Sequence, residues 1–345
     1  GGCPKIRQFT YGENTLRIVM EPVGYALGKN RIIVNDMTIY EPTGKQMAHV
    51  ARVSASIDLL SLLAGRIDIG TAQLFGTKAT LYKATPDSEP NFQFLIDAFK
   101  SEEKEEPSKI DLHIGSFIMR HADVSYDVLS EATCPNNMDA NHLHLHDCGM
   151  NLMLRHLTND SINLTIRRLQ AKELNSGLSI HNTQLRLAAN EQYATLTHFN
   201  LSLPHSGIAI DSLYTQYGKY ETEKKFQFFS TPIHGSLSPR DLSFLNEKLA
   251  QLTTPISFQM EAAGNEERIT LKDLLLQSDE DFMFSASAEI ENPLDSQTRN
   301  IVSNISTLRL TSHEMQQLAD IFMPEHGKDH LIESVGTFNY AGDIN

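Results

Sequence analysis

The densest run of chemically capable side chains in this sequence is His142-Leu143-His144-Leu145-His146-Asp147-Cys148. On a strand, alternate residues face the same side at intervals of about 7 Å. The three histidines therefore share one face, with Leu143 and Leu145 on the other. A His-x-His pair can supply two ligands of a catalytic Zn²⁺, with the third drawn from elsewhere. His142, His144 and His146 are thus the candidate metal ligands, and zinc-dependent hydrolysis is the chemistry they would support. No further group converges on them by spacing, so the plainer reading puts the leucines on a core and the histidines in water.

Other motifs fail on spacing. Gly24 to Asn30 imitates a phosphate loop but is one residue short and lacks the Ser/Thr that would meet Mg²⁺. His313-Glu314 opens like a zinc-protease helix, yet Gln317 occupies the second histidine's place. His326 and His330 flank Gly327, which weakens any helix between them. Asp279-Glu280-Asp281 lacks calcium-loop spacing. With no nucleophile elbow, C-x-x-C pair or dinucleotide fingerprint, the sequence predicts a protein that is not an enzyme and takes no cofactor.

Composition narrows the partners. Lys and Arg number 29 against 43 Asp and Glu, a net charge of −14. An acidic chain without a basic stripe repels phosphate backbones, which argues against nucleic acid. No apolar run reaches the roughly eighteen residues of a spanning helix. At about 150 residues per domain, 345 residues suggest roughly two domains. Cys3, Cys134 and Cys148 are too few for a disulfide scaffold. Cys134 and Cys148 can pair across a short loop in an oxidising compartment, although two separate thiols is the simpler expectation. Gly1-Gly2-Cys3 has the form of a lipoprotein cleavage site or of a tag scar.

The elements that must position these groups are mostly strands, because apolar–polar alternation dominates the chain. Arg31 to Tyr40 is the first clear strand, closed by the turn chemistry of Pro42 and Gly44. Val50 to Leu59, Ile67 to Phe75 and Ala79 to Tyr82 follow, with Gly76 read as a break. Later strands are expected at 110–120, 142–145, 151–154, 162–169, 178–187, 194–203, 207–217, 225–229, 256–262, 269–276, 282–290 and 307–310. Helical spacing predicts helices near 91–100, 239–252 and 312–322, the last with Ser312 as N-cap. The expected fold is mainly β: an elongated, curled antiparallel sheet, an open half-barrel or groove, with a few short amphipathic helices. A boundary near 130/131 separates an N-terminal region, 1–130, from a continuing groove, 131–345.

The ordered blocks Arg31 to Tyr40, Val53 to Leu60, Gly65 to Ile69, Ala72 to Gly76, Asn91 to Phe99 and Ile118 to Asp127 resemble the N-terminal periplasmic part of the TamB family. These are translocation and assembly module subunits of the AsmA-like superfamily of Gram-negative envelope proteins. Ser161 to Leu169, Ser206 to Tyr217 and Pro239 to Phe258 fit the same succession more loosely. The resemblance implies a long periplasmic protein anchored in the inner membrane, with a curled β-sheet lined by apolar side chains. It implies phospholipid movement between the two membranes, and outer-membrane protein assembly with a TamA-like barrel partner. Family catalytic residues do not exist to transfer. The anchor is expected upstream and the partner-binding domain downstream, so the sequence reads as an N-terminal fragment.

A lipid conduit needs a continuous dry face and no chemistry, and the alternating sets supply candidates. Ile57, Leu59, Ile67, Ile69, Ala79, Leu81, Leu112, Ile114, Ile118, Leu143, Leu145, Leu152, Leu154, Leu164, Ile166, Leu185 and Leu187 are the expected lining residues. The alternative is a structural or chaperone-like module that offers sheet edges to nascent outer-membrane strands. A zinc hydrolase at His142 and His144 is the third reading.

Overall fold

Alternation produces strands along nearly the whole chain. The computed structural model describes residues 5–11, 14–20, 24–26, 31–58, 66–95, 111–158, 160–220, 223–279, 281–295, 297–323 and 336–344. The protein is mainly β, and its contacts divide it into two compact units, Gly1–Thr183 and Gln184–Asn345. The boundary expected at 130/131 falls inside the first unit, in a connection between two strands.

The first unit contains β1 (Lys5–Tyr11), β2 (Asn14–Met20), β3 (Gly24–Ala26), β4 (Arg31–Tyr40), β5 (Gln46–Ile57), β6 (Arg66–Lys83), β7 (Asp111–Val128), β8 (His142–Leu157), β9 (Ser161–Glu173) and β10 (Ser179–Ile180). β1 pairs with β2, and β2 and β3 share the outer edge of β4. From β4 the ladder runs through β5, β6, β7, β8 and β9 to β10. One pair corrects the antiparallel expectation: β6 and β7 run parallel, Arg66 beside Asp111 through to Lys83 beside Val128. The 84–110 connection carries the chain back to the start of β6 before β7 begins, and a long crossover is what a parallel pair requires.

The second unit holds β11 (Asn182–Asn190), which begins at the boundary, then β12 (Tyr193–Ser202), β13 (Gly207–Tyr220), β14 (Glu223–Ser230), β15 (Ile233–Leu237), β16 (Ile256–Asn265), β17 (Arg268–Ser278), β18 (Phe282–Glu291), β19 (Asn300–Leu310) and β20 (Phe338–Ile344). β13 pairs with β12 on one side and divides its other edge between β14 and β15, which both pair with β16. The meander then continues antiparallel to β20.

Helices are few. α1 (Ser312–Phe322) spans the expected residues, but its N-cap is Thr311, whose hydroxyl accepts from the Glu314 N–H. The helix expected at 239–252 is instead two 3₁₀ turns, Pro239–Leu242 and Glu247–Gln251. The break has a local cause: Asn246 is extended and spends its side chain capping the Lys248 N–H, so a second turn starts afresh there. Of the helix expected at 91–100, residues 93–95 are helical and the remainder lies outside the described residues.

That short helical piece covers one end of the first sheet. Phe94 is buried with Met47 and Ala48, and Phe92 and Leu95 pack there with Ile39, Ala79 and Leu81. Asn91 fixes it in place. Its side chain donates to Glu41 Oε1 at 2.9 Å and to the Thr80 carbonyl, and accepts from the Tyr82 N–H at 2.9 Å. Glu41 is buried but takes further donors from the Tyr82 and Thr43 hydroxyls, so its charge is well solvated by the protein. That contact also pushes the Tyr82 phenol above its ordinary value, first through the hydrogen bond to Glu41 and then through burial.

A line of left-handed residues crosses the first sheet. Asp36 (φ 48°), Gly76 (φ 64°), His121 (φ 53°) and Asp147 (φ 48°) lie on β4, β6, β7 and β8. The register puts Asp36 and Gly76 opposite Ala51 of β5 and continues from Gly76 to His121, which is hydrogen-bonded to Asp147 at 2.8 Å. A residue of helical conformation turns the chain by about 100° where a strand residue turns it by 180°, so its two neighbours point to opposite faces. Apolar parity shifts by one at this line in every strand. Ile32 and Val34 give way to Met37 and Ile39, Ala72 and Leu74 to Ala79 and Leu81, and Leu143 and Leu145 to Cys148 and Met150. The shift keeps one side of the sheet apolar throughout. It also explains why Gly76 reads as a strand end in sequence, and why 142–145 and 151–154 read as separate strands. β6 and β8 run through both places, over 18 and 16 residues.

Candidate functional site

Residues directly opposite on adjacent strands share a face, so the register assembles apolar rows across the first unit. One row runs Ile57–Ile69–Ile114–Leu154–Leu164 over β5 to β9, and the next Ala55–Ala72–Phe117–Leu152–Ile166. A third follows with Val53–Leu74–Met119–Met150–Leu169. With strands about 4.8 Å apart, each row is about 20 Å wide. Leu154 is the one fully buried member of the first two rows, and the others are half-buried. Among the described elements, β6 to β8 make close backbone contact chiefly with their ladder neighbours.

The expected lining residues divide as follows. Ile57, Ile69, Ile114, Leu152, Leu154, Leu164 and Ile166 lie in the first two rows. Ile67 and Leu112 form a shorter row with Leu157, and Ile67 is partly exposed. Beyond the left-handed line, Ala79 and Leu145 join Ala48 and Val124 in a row that ends at Glu173, while Leu81 and Leu143 flank Tyr126. Ala79 and Leu81 lie beneath Phe92, Phe94 and Leu95, so this end is closed. Ile118 sits on the opposite face, in register with Asn151 and Arg168. Leu185 and Leu187 are half-buried on β11 in the second unit. Leu59 lies outside the described residues.

Sequence reading missed Val53, Ala55, Ala72, Leu74, Phe117, Met119, Met150 and Leu169 as lining. Val53 and Ala55 continue the alternation that ends at Ile57, and Met150 that of Leu152 and Leu154, whereas Ala72, Leu74, Phe117, Met119 and Leu169 lie beyond register slips that alternation alone does not display.

The second unit has a comparable row, Leu201–Ile208–Gly235–Phe258–Leu276–Phe284–Leu308–Tyr340, crossing β12, β13 and β15 to β20. Beside it, Leu318 of α1, Pro239 and Leu252 of the 3₁₀ segment, and Ile256, Phe282 and Leu310 of the sheet enclose a small cavity of about 110 Å³. Glu314 also lines it, and burial pushes that carboxyl above the usual carboxylate range, with Asp281 adding to the shift.

The histidine strand does something other than gather a metal. His142 is buried; its Nδ1 lies 2.9 Å from Asp127 Oδ1 and its Nε2 3.1 Å from the Glu131 carbonyl oxygen. A carbonyl and a carboxylate both accept, so the doubly protonated ring satisfies both partners at once. The Asp127 hydrogen bond raises the ring's pKa above the ordinary histidine value against the opposing effect of burial. His144 Nε2 approaches the same Asp127 at 3.1 Å, whereas His146 Nδ1 pairs with Asp123 at 2.7 Å. The three rings thus face two different carboxylates. Among the described residues, no group of three His, Cys, Asp or Glu side chains is arranged to hold a metal. Cys134 is exposed and Cys148 buried, both as free thiols, and burial pushes the Cys148 thiol up. Cys3, His326 and His330 lie outside the described residues.

Among the described residues, no helix is long and apolar enough to cross a membrane. Comparison with protein-family models, with curated proteins and with solved structures finds no match to this chain.

Proposed function

We propose that this chain is a lipid-binding segment of a TamB-like envelope protein, holding phospholipid acyl chains against the apolar side of the β5–β9 sheet in the periplasm. The observation that carries this reading is the three consecutive apolar rows, whose side chains, Leu154 excepted, all keep part of their surface exposed. Apolar patches of this extent are costly in water unless something occupies them. Burying an acyl chain yields about 0.8 kcal/mol per CH₂, so a tail lying across one row is a substantial gain. The closed end under Phe94 gives the surface a terminus rather than a through-passage at that edge. No catalytic step belongs to the reading.

Native mass spectrometry of the chain, purified without detergent from a bacterial envelope, tests it. Bound masses matching phospholipid are expected, and should be lost when Ile114 and Leu152 are both replaced by Asp. A bare protein mass, with lipid extraction equally empty, would sink the reading and favour the sheet-edge scaffold.

A further inference from the structure

The face opposite the apolar rows carries a concentration of cations that the net charge of −14 does not suggest. Two adjoining clefts of about 240 and 530 Å³ lie over β7, β8 and β9 and share Asp147, Arg168 and Gln170 in their walls. Arg120 lines the first and Lys172 the second. Among the described residues, Arg120, Arg168 and Lys172 have no carboxylate within ion-pair distance, whereas His121 and His146 are each paired with an aspartate. The one carboxylate in the walls, Asp147, is held by His121 Nδ1 at 2.8 Å.

The local geometry orients the cations. Arg168 Nη2 donates to Gln170 Oε1 at 2.7 Å, which steadies one edge of the guanidinium and leaves its other donors free. Gly149 stands opposite Gln170 on the neighbouring strand, and a Cβ there would meet the Gln170 side chain at 3.1 Å. The missing side chain makes room for the Gln170 side chain, which lies over Gly149. Arg120 lies on β7 and Arg168 on β9, two ladder spacings across and two residues along the strands, about 12 Å apart at the backbone. Long guanidinium side chains reach across such a gap to the two sides of one tetrahedral anion, and Arg matches phosphate oxygens through paired N–H donors.

We propose that this cleft binds a phosphate group, clasped by Arg120 and Arg168 with Lys172 at its rim. The phosphate is carried either by a soluble ester or by a lipid headgroup. The site is independent of the acyl-chain surface, being on the other side of the sheet.

Calorimetric titration of the whole chain with inorganic phosphate and with glycerol phosphate tests the soluble source. Flotation with phosphatidylglycerol vesicles, against phosphatidylcholine vesicles, tests the headgroup. Binding in either arm is expected to weaken about tenfold or more in the Arg120→Gln/Arg168→Gln double variant. Binding to the soluble ligands assigns a soluble ester, and binding only to phosphatidylglycerol vesicles assigns a headgroup. Absence of binding in both arms overturns the proposal, as does binding that the double variant leaves unchanged. Should the double variant fail to fold, Arg120→Gln and Lys172→Gln singly must each weaken binding, and unchanged affinity in both overturns it equally. Bound lipid mass plays no part in the calorimetric arm, so its failure and that of the acyl-chain reading are separable.

Discussion

At the scale of single residues, His142 shows how a group that looks like a ligand becomes a structural charge. Its strand spacing was legible, but its partners Asp127 and the Glu131 carbonyl come from β7 and the loop after it, which no local pattern could announce. Because the native pKa is raised, the proton contributes stability in full below the ordinary histidine value of about 6.5. That contribution disappears as pH climbs through the higher native value. The urea midpoint is therefore expected to fall as pH rises above about 6.5, and His142→Gln should flatten that part of the profile. Stoichiometric zinc is not expected under elemental analysis, since the three rings pair with two different carboxylates and no described group of three ligands converges. Leu154 is the fully buried member of its row, so its truncation should cost more than that of its half-buried row neighbours. Leu154→Ala is expected to lower unfolding free energy by about 2–5 kcal/mol in denaturant titration.

At the scale of elements, the period-two signal located strands well where alternation was unbroken. Arg31–Tyr40 is β4 to the residue. It failed where alternation slipped, dividing β6 at Gly76 and β8 around Asp147. The hydrogen-bonded ladder continues through a left-handed residue although the side-chain pattern does not, and pattern is all that a sequence displays. Gly76→Ala should be destabilising by about 1–2 kcal/mol, the cost of a Cβ at positive φ. The added carbon would also press on Ala51 Cβ at 3.0 Å. The end cover is a second element whose strength is local. Asn91→Ala removes a donor from buried Glu41 and should cost about 1–3 kcal/mol. Amide exchange at residues 92–95 should rise in the same variant. The apolar stripe at 239–252 misled for a different reason, because Asn246 caps a new turn in the middle of it.

At the scale of the whole molecule, composition and alternation were enough for a mainly β protein, and not for its parallel pair or its division at Thr183. Those depend on where the 84–110 connection delivers the chain and on pairing between distant strands. The apolar face was legible in part: seven expected lining residues fall in the first two rows, while Ile118 turned to the cationic side because parity slips were invisible. Each unit has its own apolar row, so each is expected to hold lipid independently if the acyl-chain reading is correct. Ile114→Asp and Leu276→Asp should each reduce bound phospholipid by native mass spectrometry, with the paired variant losing more than either. The first sheet has two unlike sides, one carrying the apolar rows and the other Arg120, Arg168 and Lys172.

A strand is read in a frame of two, and a left-handed residue is a frameshift written into it. The sheet tolerates the shift because β4, β6, β7 and β8 carry it along one transverse line, with β5 changing frame opposite them at Ala51. Deleting Gly76 alone would return β6 to simple alternation but leave it one residue short, so that Ala79 and Leu81 no longer stood opposite Val124 and Tyr126 while its neighbours kept the old frame. No single strand can therefore gain or lose its shift without unmatching the strands on both sides. Asp36, Gly76, His121 and Asp147 are expected to be inherited as one character, retained together or abandoned together in any relative that keeps this sheet.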